Sequence, residues 1–123
     1  MTVTQLPQVP TYFVGTVVAP TAGLPIWRDS TMSTFGTLKY RRADGTLGPV
    51  GNQLVEIFAR PVGQTSWTLV SSARTAVSGY FYSRWGFGYD VGQSFQVMAR
   101  YKTALPQAAS SATGVFGPFT VQS

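Results

Sequence analysis

Residues 79–92 read GYFYSRWGFGYDVG, and the architecture turns on how this stretch is taken. Six aromatic rings, one arginine and four glycines in fourteen residues suit a surface that stacks on a base, a sugar or a partner protein. They equally suit a core strand that feeds a tight turn. Side chains alternate along a strand, so Phe81, Ser83 and Trp85 share one face while Tyr80, Tyr82 and Arg84 share the other. The first set is expected to face the core through Phe81 and Trp85. Gly79 suits a turn that needs positive φ. The following GFGYDVG, residues 86–92, lacks the Lys-Ser/Thr of a phosphate loop and opens no helix. It reads as a hairpin turn, with Asp90 before Val91 and Gly92.

Short alternating runs continue on both sides. Residues 94–101 set Phe95, Val97, Ala99 and Tyr101 against Gln96, Met98, Arg100 and Lys102, and the first set is the more apolar. Residues 54–60 (LVEIFAR), 34–41 (TFGTLKYR, stopped by Ala43-Asp44-Gly45), 67–72 (WTLVSS), 12–19 (YFVGTVVA) and 115–121 complete seven expected strands. Glycine and proline punctuate them, no helical period of useful length is present, and no internal repeat is visible. The fold class read from this pattern is all-β, an immunoglobulin-like β-sandwich of about seven strands over residues 12–123. Pro7 and Pro10 forbid a regular helix at the start, so residues 1–11 are expected to form an extended N-terminal arm. Residues 20–33, PTAGLPIWRDSTMS, are expected to form a long loop in which Trp27 either pins the loop or is exposed for contact.

Composition excludes several functions. Among 123 residues there are no cysteines and no histidines. Disulfides, thiol nucleophiles and imidazole or thiolate metal sites therefore drop out, together with the commonest general base. The acids are only Asp29, Asp44, Glu56 and Asp90, spread along the chain. With so few positioned titratable groups, neither an enzyme nor a cofactor is expected. Hydrophobic content of 44% rules out a charge-repelled disordered chain, and no apolar run is long enough for a membrane helix. A net charge of +5 raises nucleic acid binding, but the nine cations are scattered and only Arg41 and Arg42 are adjacent. Seven of the nine are arginine, the cation favoured at protein interfaces, so docking on an acidic protein surface is expected rather than nucleic acid binding.

The stretch SWTLVSSARTAVSGYF, residues 66–81, resembles a motif common in bacterial immunoglobulin-like domains. Trp67, Val70, Thr75, Gly79 and Phe81 stand where that pattern has Trp, Val, Thr, Gly and an aromatic. The preceding ADGTLGPVGNQLVEIFARP (43–61), the later FQVMARY (95–101) and the Ala/Ser-rich AASSAT (108–113) are similar to the family's other phrases. The resemblance covers about residues 34–121. One departure stands out: the family usually has an acidic residue directly after the Thr, where this chain has Ala76-Val77-Ser78. An apolar turn there has two readings, cover by a partner and neutral change.

Such domains serve as spacers or adhesion modules of surface proteins and as decorations of tailed-phage capsids or tails. Met1 with no secretory signal after it and the single domain favour the second setting. The resemblance thus implies a non-enzymatic virion protein made in the host cytoplasm, most simply a capsid decoration or cement protein. Its partners would be the major capsid protein or other virion subunits, with homo-oligomerisation open and no nucleic acid or membrane partner. The alternative is a cell-surface or secreted adhesion or glycan-binding module. If residues 80–85 and 94–101 are hairpin neighbours, Tyr80, Tyr82, Arg84, Met98 and Arg100 form one outward surface of interface-prone residue types. The plainer reading is that the tyrosines shield a sheet face. Trp27 and Arg28 of the long loop, and Pro7 and Pro10 of the arm, are the other expected contact residues.

Overall fold

The structure, a computed structural model, describes residues 9–102 and 110–123. The strands are β1 (Thr11–Pro20), β2 (Thr31–Arg41), β3 (Leu47–Pro49), β4 (Leu54–Pro61), β5 (Thr68–Arg74), β6 (Tyr80–Gly86), β7 (Ser94–Tyr101), β8 (Ser111–Ala112) and β9 (Phe116–Thr120). The described residues contain no helix. Every strand pairing is antiparallel, in two sheets. In the first sheet β2 lies between β1 on one side and, on the other, β6 followed by the short β3. In the second the order is β5-β4-β7, with β8 and β9 sharing the far side of β7. The chain is an all-β sandwich. Its partition follows the immunoglobulin order except that the fourth long strand, β5, joins the sheet of β4 and β7.

The seven expected strands are present, β7 with the bounds expected and the others with shifted ends, and β3 and β8 are additional. β2 begins at Thr31, three residues earlier than read from the sequence, so the expected 20–33 loop is only the segment 21–30. The body begins at Thr11, and the Arg41 amide donates to the Pro10 carbonyl at 3.0 Å, which ties the end of the expected arm to β2. Pro7 and residues 1–8 of that arm lie outside the described residues.

One correction changes the site. β6 and β7 are not hairpin neighbours: β6 pairs with β2 in the first sheet, and β7 pairs with β4 in the second. Residues 87–93 carry the chain across the end of the sandwich. A tight turn does occur there, closed by the Gln93 amide on the Asp90 carbonyl at 3.0 Å, with Gly92 at φ 88°. It redirects the chain between layers instead of folding it back on itself.

The core fills from both inner faces, because burial alternates along β6 and β7 as the side-chain period requires. Met32, Leu38, Phe81 and Trp85 of the first sheet meet Val55, Ile57, Phe95, Val97 and Tyr101 of the second. Two polar contacts are built into this layer. Ser83 of β6 and Ser71 of β5 are hydrogen-bonded across the seam between the sheets. The buried Trp85 indole donates to Thr34 Oγ1 at 3.0 Å. Thr34→Val keeps the shape of Thr34 but strands the indole N–H in the core. It is expected to cost about 2 kcal/mol, read from urea unfolding followed by circular dichroism.

A β-bulge shapes the outer surface. The β1–β2 register shifts between Val14 and Val17, where Gly15 takes φ 64°. Thr16 settles against Gly36 on β2, where a Cβ would approach Thr16 Oγ1 to 2.8 Å. The extra residue turns both Val14 and Val17 outward, although strict alternation would separate residues three apart.

Candidate functional site

The cross-strand register places the outward residues of the first sheet in rows. Val17, Phe35 and Tyr82 form one row across β1, β2 and β6; Val14, Thr37 and Tyr80 form the next. Tyr80 and Tyr82 are 45% and 48% exposed, Val14 and Val17 about as much, and Phe35 is half-buried. The Phe35 and Tyr82 rings stack with centroids 6.2 Å apart, and the Tyr82 hydroxyl meets Ser33 Oγ at 3.1 Å. These contacts fix the ring orientation while leaving its outer side open.

Cations bound the rows at both ends. Toward Pro20, Arg84 stands opposite Ser33 and donates from Nε to Thr31 Oγ1 at 3.1 Å. At the other end Lys39 stands opposite Tyr12, and the Arg41 guanidinium lies 5.6 Å from the Tyr12 ring centroid. Among the described residues no carboxylate forms an ion pair with Arg84, Lys39 or Arg41. The strands of this sheet contain no acid at all.

The outer face of the second sheet is different. Arg100 donates to Glu56 Oε1 at 3.0 Å and its guanidinium covers the Phe58 ring at 4.6 Å. Arg60 donates to Gln96 Oε1 at 3.0 Å and lies 4.2 Å over the Trp67 ring. Met98 pairs across from Phe58. Arg60 and Arg100 are therefore already engaged within the chain, and the third arginine of this face, the exposed Arg74 opposite Leu54, donates to the Asn52 carbonyl at 3.3 Å. The five residues expected to form one surface are divided: Tyr80, Tyr82 and Arg84 lie on the open face, and Met98 and Arg100 on the opposite, internally paired one. Val14, Val17, Phe35, Lys39 and Arg41 belong to the open face and were not singled out from the sequence. The bulge that brings Val14 and Val17 outward is signalled only by Gly15.

The pole reached by the ends of β1 and β6 holds Trp27 and Arg28, whereas Pro10 sits at the opposite pole against Arg41. A groove of about 770 Å³ runs between Leu24, Pro25 and Trp27 of the 21–30 segment and Pro118 and Phe119 of β9. The segment is held by Ile26, which is buried and whose carbonyl accepts from the Gln122 amide at 2.7 Å. Ile26, not Trp27, is the pin; Trp27 is nearly half exposed. Arg28 approaches Asp90 at 4.0 Å with both side chains largely in water, a contact of little energetic weight. Nearby, burial pushes the Tyr89 phenol above its ordinary value near 10, so that ring stays neutral. At the opposite pole Val77 of the apolar turn is 90% exposed.

The four acids do not converge. Glu56 lies on the second sheet's outer face, Asp29 and Asp90 at the grooved pole, and Asp44 in the β2–β3 turn. The Thr46 hydroxyl, and then its amide, hold Asp44 below the usual carboxylate range, with Oδ1 accepting at 2.6 and 2.9 Å. Among the described residues no three acids gather to hold a cation. No protein family model, no curated protein and no solved structure matches the chain.

Proposed function

We propose that this chain is a non-enzymatic structural protein of a bacteriophage virion, a decoration or cement protein that docks on the assembled shell through the outer face of its first sheet. The observation that carries the docking reading is the contrast between the two faces. One engages Arg60 and Arg100 with Gln96, Glu56 and aromatic rings; the other leaves Tyr12, Tyr80, Tyr82, Phe35 and three cations without acidic partners. Tyrosine and arginine dominate protein interfaces because they bring large contact area and directed polar groups together. The virion setting is one of the two that the resemblance of residues 66–81 to bacterial immunoglobulin-like domains implies, the other being a surface adhesion module. A cement protein works by repetition: weak contacts made at many lattice points give high avidity.

The test uses shells purified from particles of the same virus assembled without this chain. Wild-type protein is expected to saturate them. The double substitution Tyr80→Ser, Tyr82→Ser is expected to weaken binding about thirtyfold, whereas Met98→Ala changes it by less than about twofold. Shells that bind no wild-type protein, or that bind the tyrosine variant as well as wild type, overturn the proposal. Retention on immobilised polysaccharide without binding to shells overturns it in favour of an adhesion module.

A further inference from the structure

The distribution of charge on the open face defines what can cover it. We infer that the partner is a protein surface with an apolar centre flanked by two acidic groups about 20 Å apart, an inference that rests on the docking reading above. The spacing follows from the strand. Arg84 stands opposite Ser33, and Lys39 lies six residues further along β2. At roughly 3.4 Å per residue the two cationic ends are about 20 Å apart. Between them lie only Val14, Val17, Phe35, Thr37, Tyr80 and Tyr82, in rows without a charge.

This pattern discriminates among anionic partners. A duplex presents a phosphate charge about every 1.7 Å of its axis, so a nucleic acid laid along β2 would press several unneutralised phosphates onto the apolar rows. Desolvating those charges without partners is strongly unfavourable. A sugar has rings to stack on Tyr80 and Tyr82 but needs carboxylates or amides for its hydroxyls, and this face has none. Another copy of the chain fits poorly. Face to face it would set cation against cation, and its net charge of +5 opposes approach in any orientation. Of its own acids, Glu56 is already paired with Arg100 and Asp44 with Thr46, and the exposed Asp29 and Asp90 both lie at the grooved pole, beside Arg28 and not on either side of an apolar face. A surface with apolar side chains between separated carboxylates meets both requirements. Its carboxylates reach the two cationic ends while its centre displaces water from the rings.

Arg84 and Arg41 are exposed and Lys39 is half-buried, so the end cations govern approach and register while the rings between them supply most of the affinity. The two contributions can therefore be separated. The probe is a glutamate-rich random copolymer of glutamate and tyrosine, titrated into isotopically labelled full-length protein. A duplex of about 20 base pairs and a soluble hexasaccharide serve as comparisons. Amide shifts are expected at both cationic ends and in the rows between them, with none on β4 or β7. Arg84→Glu, and separately Lys39→Glu with Arg41→Glu, should each weaken copolymer binding about tenfold and flatten its salt dependence. Tyr82→Ser should weaken it at any salt concentration. The inference is overturned if the duplex or hexasaccharide binds this face more tightly than the copolymer. Shifts that gather at one cationic end only, or charge reversals without effect, also overturn it. Should the copolymer fail while wild-type protein still saturates shells, the partner chemistry is wrong and the docking reading stands.

Discussion

Phe95→Ala is expected to lower the unfolding free energy by about 4 kcal/mol. Phe95 is fully buried at the start of β7. It is the hub at which both sheets and the crossing segment meet. Its ring lies 4.9 Å from Tyr89, 5.1 Å from Phe87, 5.5 Å from Phe119 and 6.3 Å from Trp85, measured between centroids. Truncation removes the buried ring and leaves a cavity whose walls belong to three different parts of the chain, so they cannot collapse together. Each lost aromatic pair adds to the transfer cost. A domain of this size is stable by only about 5–15 kcal/mol, so the variant should melt roughly 15 °C lower by calorimetry. Phe95→Leu, which keeps most of the volume, should lose about a third as much. A loss below about 1 kcal/mol for the alanine variant would mean that the aromatic hub does not hold the crossing segment to the sandwich.

Gly79→Ala follows, at about 3 kcal/mol, by a different mechanism. Gly79 takes φ 84° at the end of the β5–β6 turn, where its amide donates to the Ala76 carbonyl at 2.8 Å. Its own carbonyl accepts from the Leu38 amide at 2.9 Å, which ties the turn to β2. A Cβ here would press on the Leu38 carbonyl oxygen and come within 3.3 Å of the Val50 amide nitrogen. That carbonyl is itself the acceptor of the Val50 amide at 3.0 Å, so neither neighbour can yield without breaking a bond. Gly45, at φ 88° with open space around it, is the control. Gly45→Ala carries only the backbone cost, about 1 kcal/mol. Equal losses for the two variants in urea unfolding would show that the close approach at Gly79 contributes nothing.

The Gly79 turn was legible in the sequence, and so was the alternation that buries Phe81 and Trp85. Both follow from local chemistry: a backbone conformation that only glycine takes easily, and a side-chain period of two. The partnering of strands was less legible. A seven-residue connection from Gly86 to Ser94 serves a hairpin or a crossing between sheets equally well, and the difference lies in contacts made far along the chain. Phe87 and Tyr89 held a hint, because a solvent-exposed hairpin loop has no use for two rings at alternate positions. In the structure they pack on Phe95 beneath the crossing. The same distance in sequence hid the state of Arg100. From its strand alone it counts as an outward, interface-prone arginine, and only the register of β4 against β7 reveals that Glu56 and Phe58 occupy it.

The division of the two faces also bears on why the open one is tolerated. An exposed sheet face with three tyrosines, Phe35 and two valines invites association unless charge restricts it. Arg84, Lys39 and Arg41 provide that restriction against like-charged copies while leaving an acidic partner free to bind. The exposed residues at the two poles, Trp27 and Val77 among them, carry no comparable pattern of charge. They are secondary to the sheet face in this account.

An image of the particle at a resolution that orients the sandwich tests the central claim most directly. The account predicts that the first sheet faces the shell, with Tyr80, Tyr82 and Phe35 at the contact and acidic side chains of the shell near Arg84 and Lys39. A sandwich seated on its second sheet, with Phe58 and Met98 toward the shell and the tyrosines in solvent, would contradict it, as would a particle in which this chain is not found.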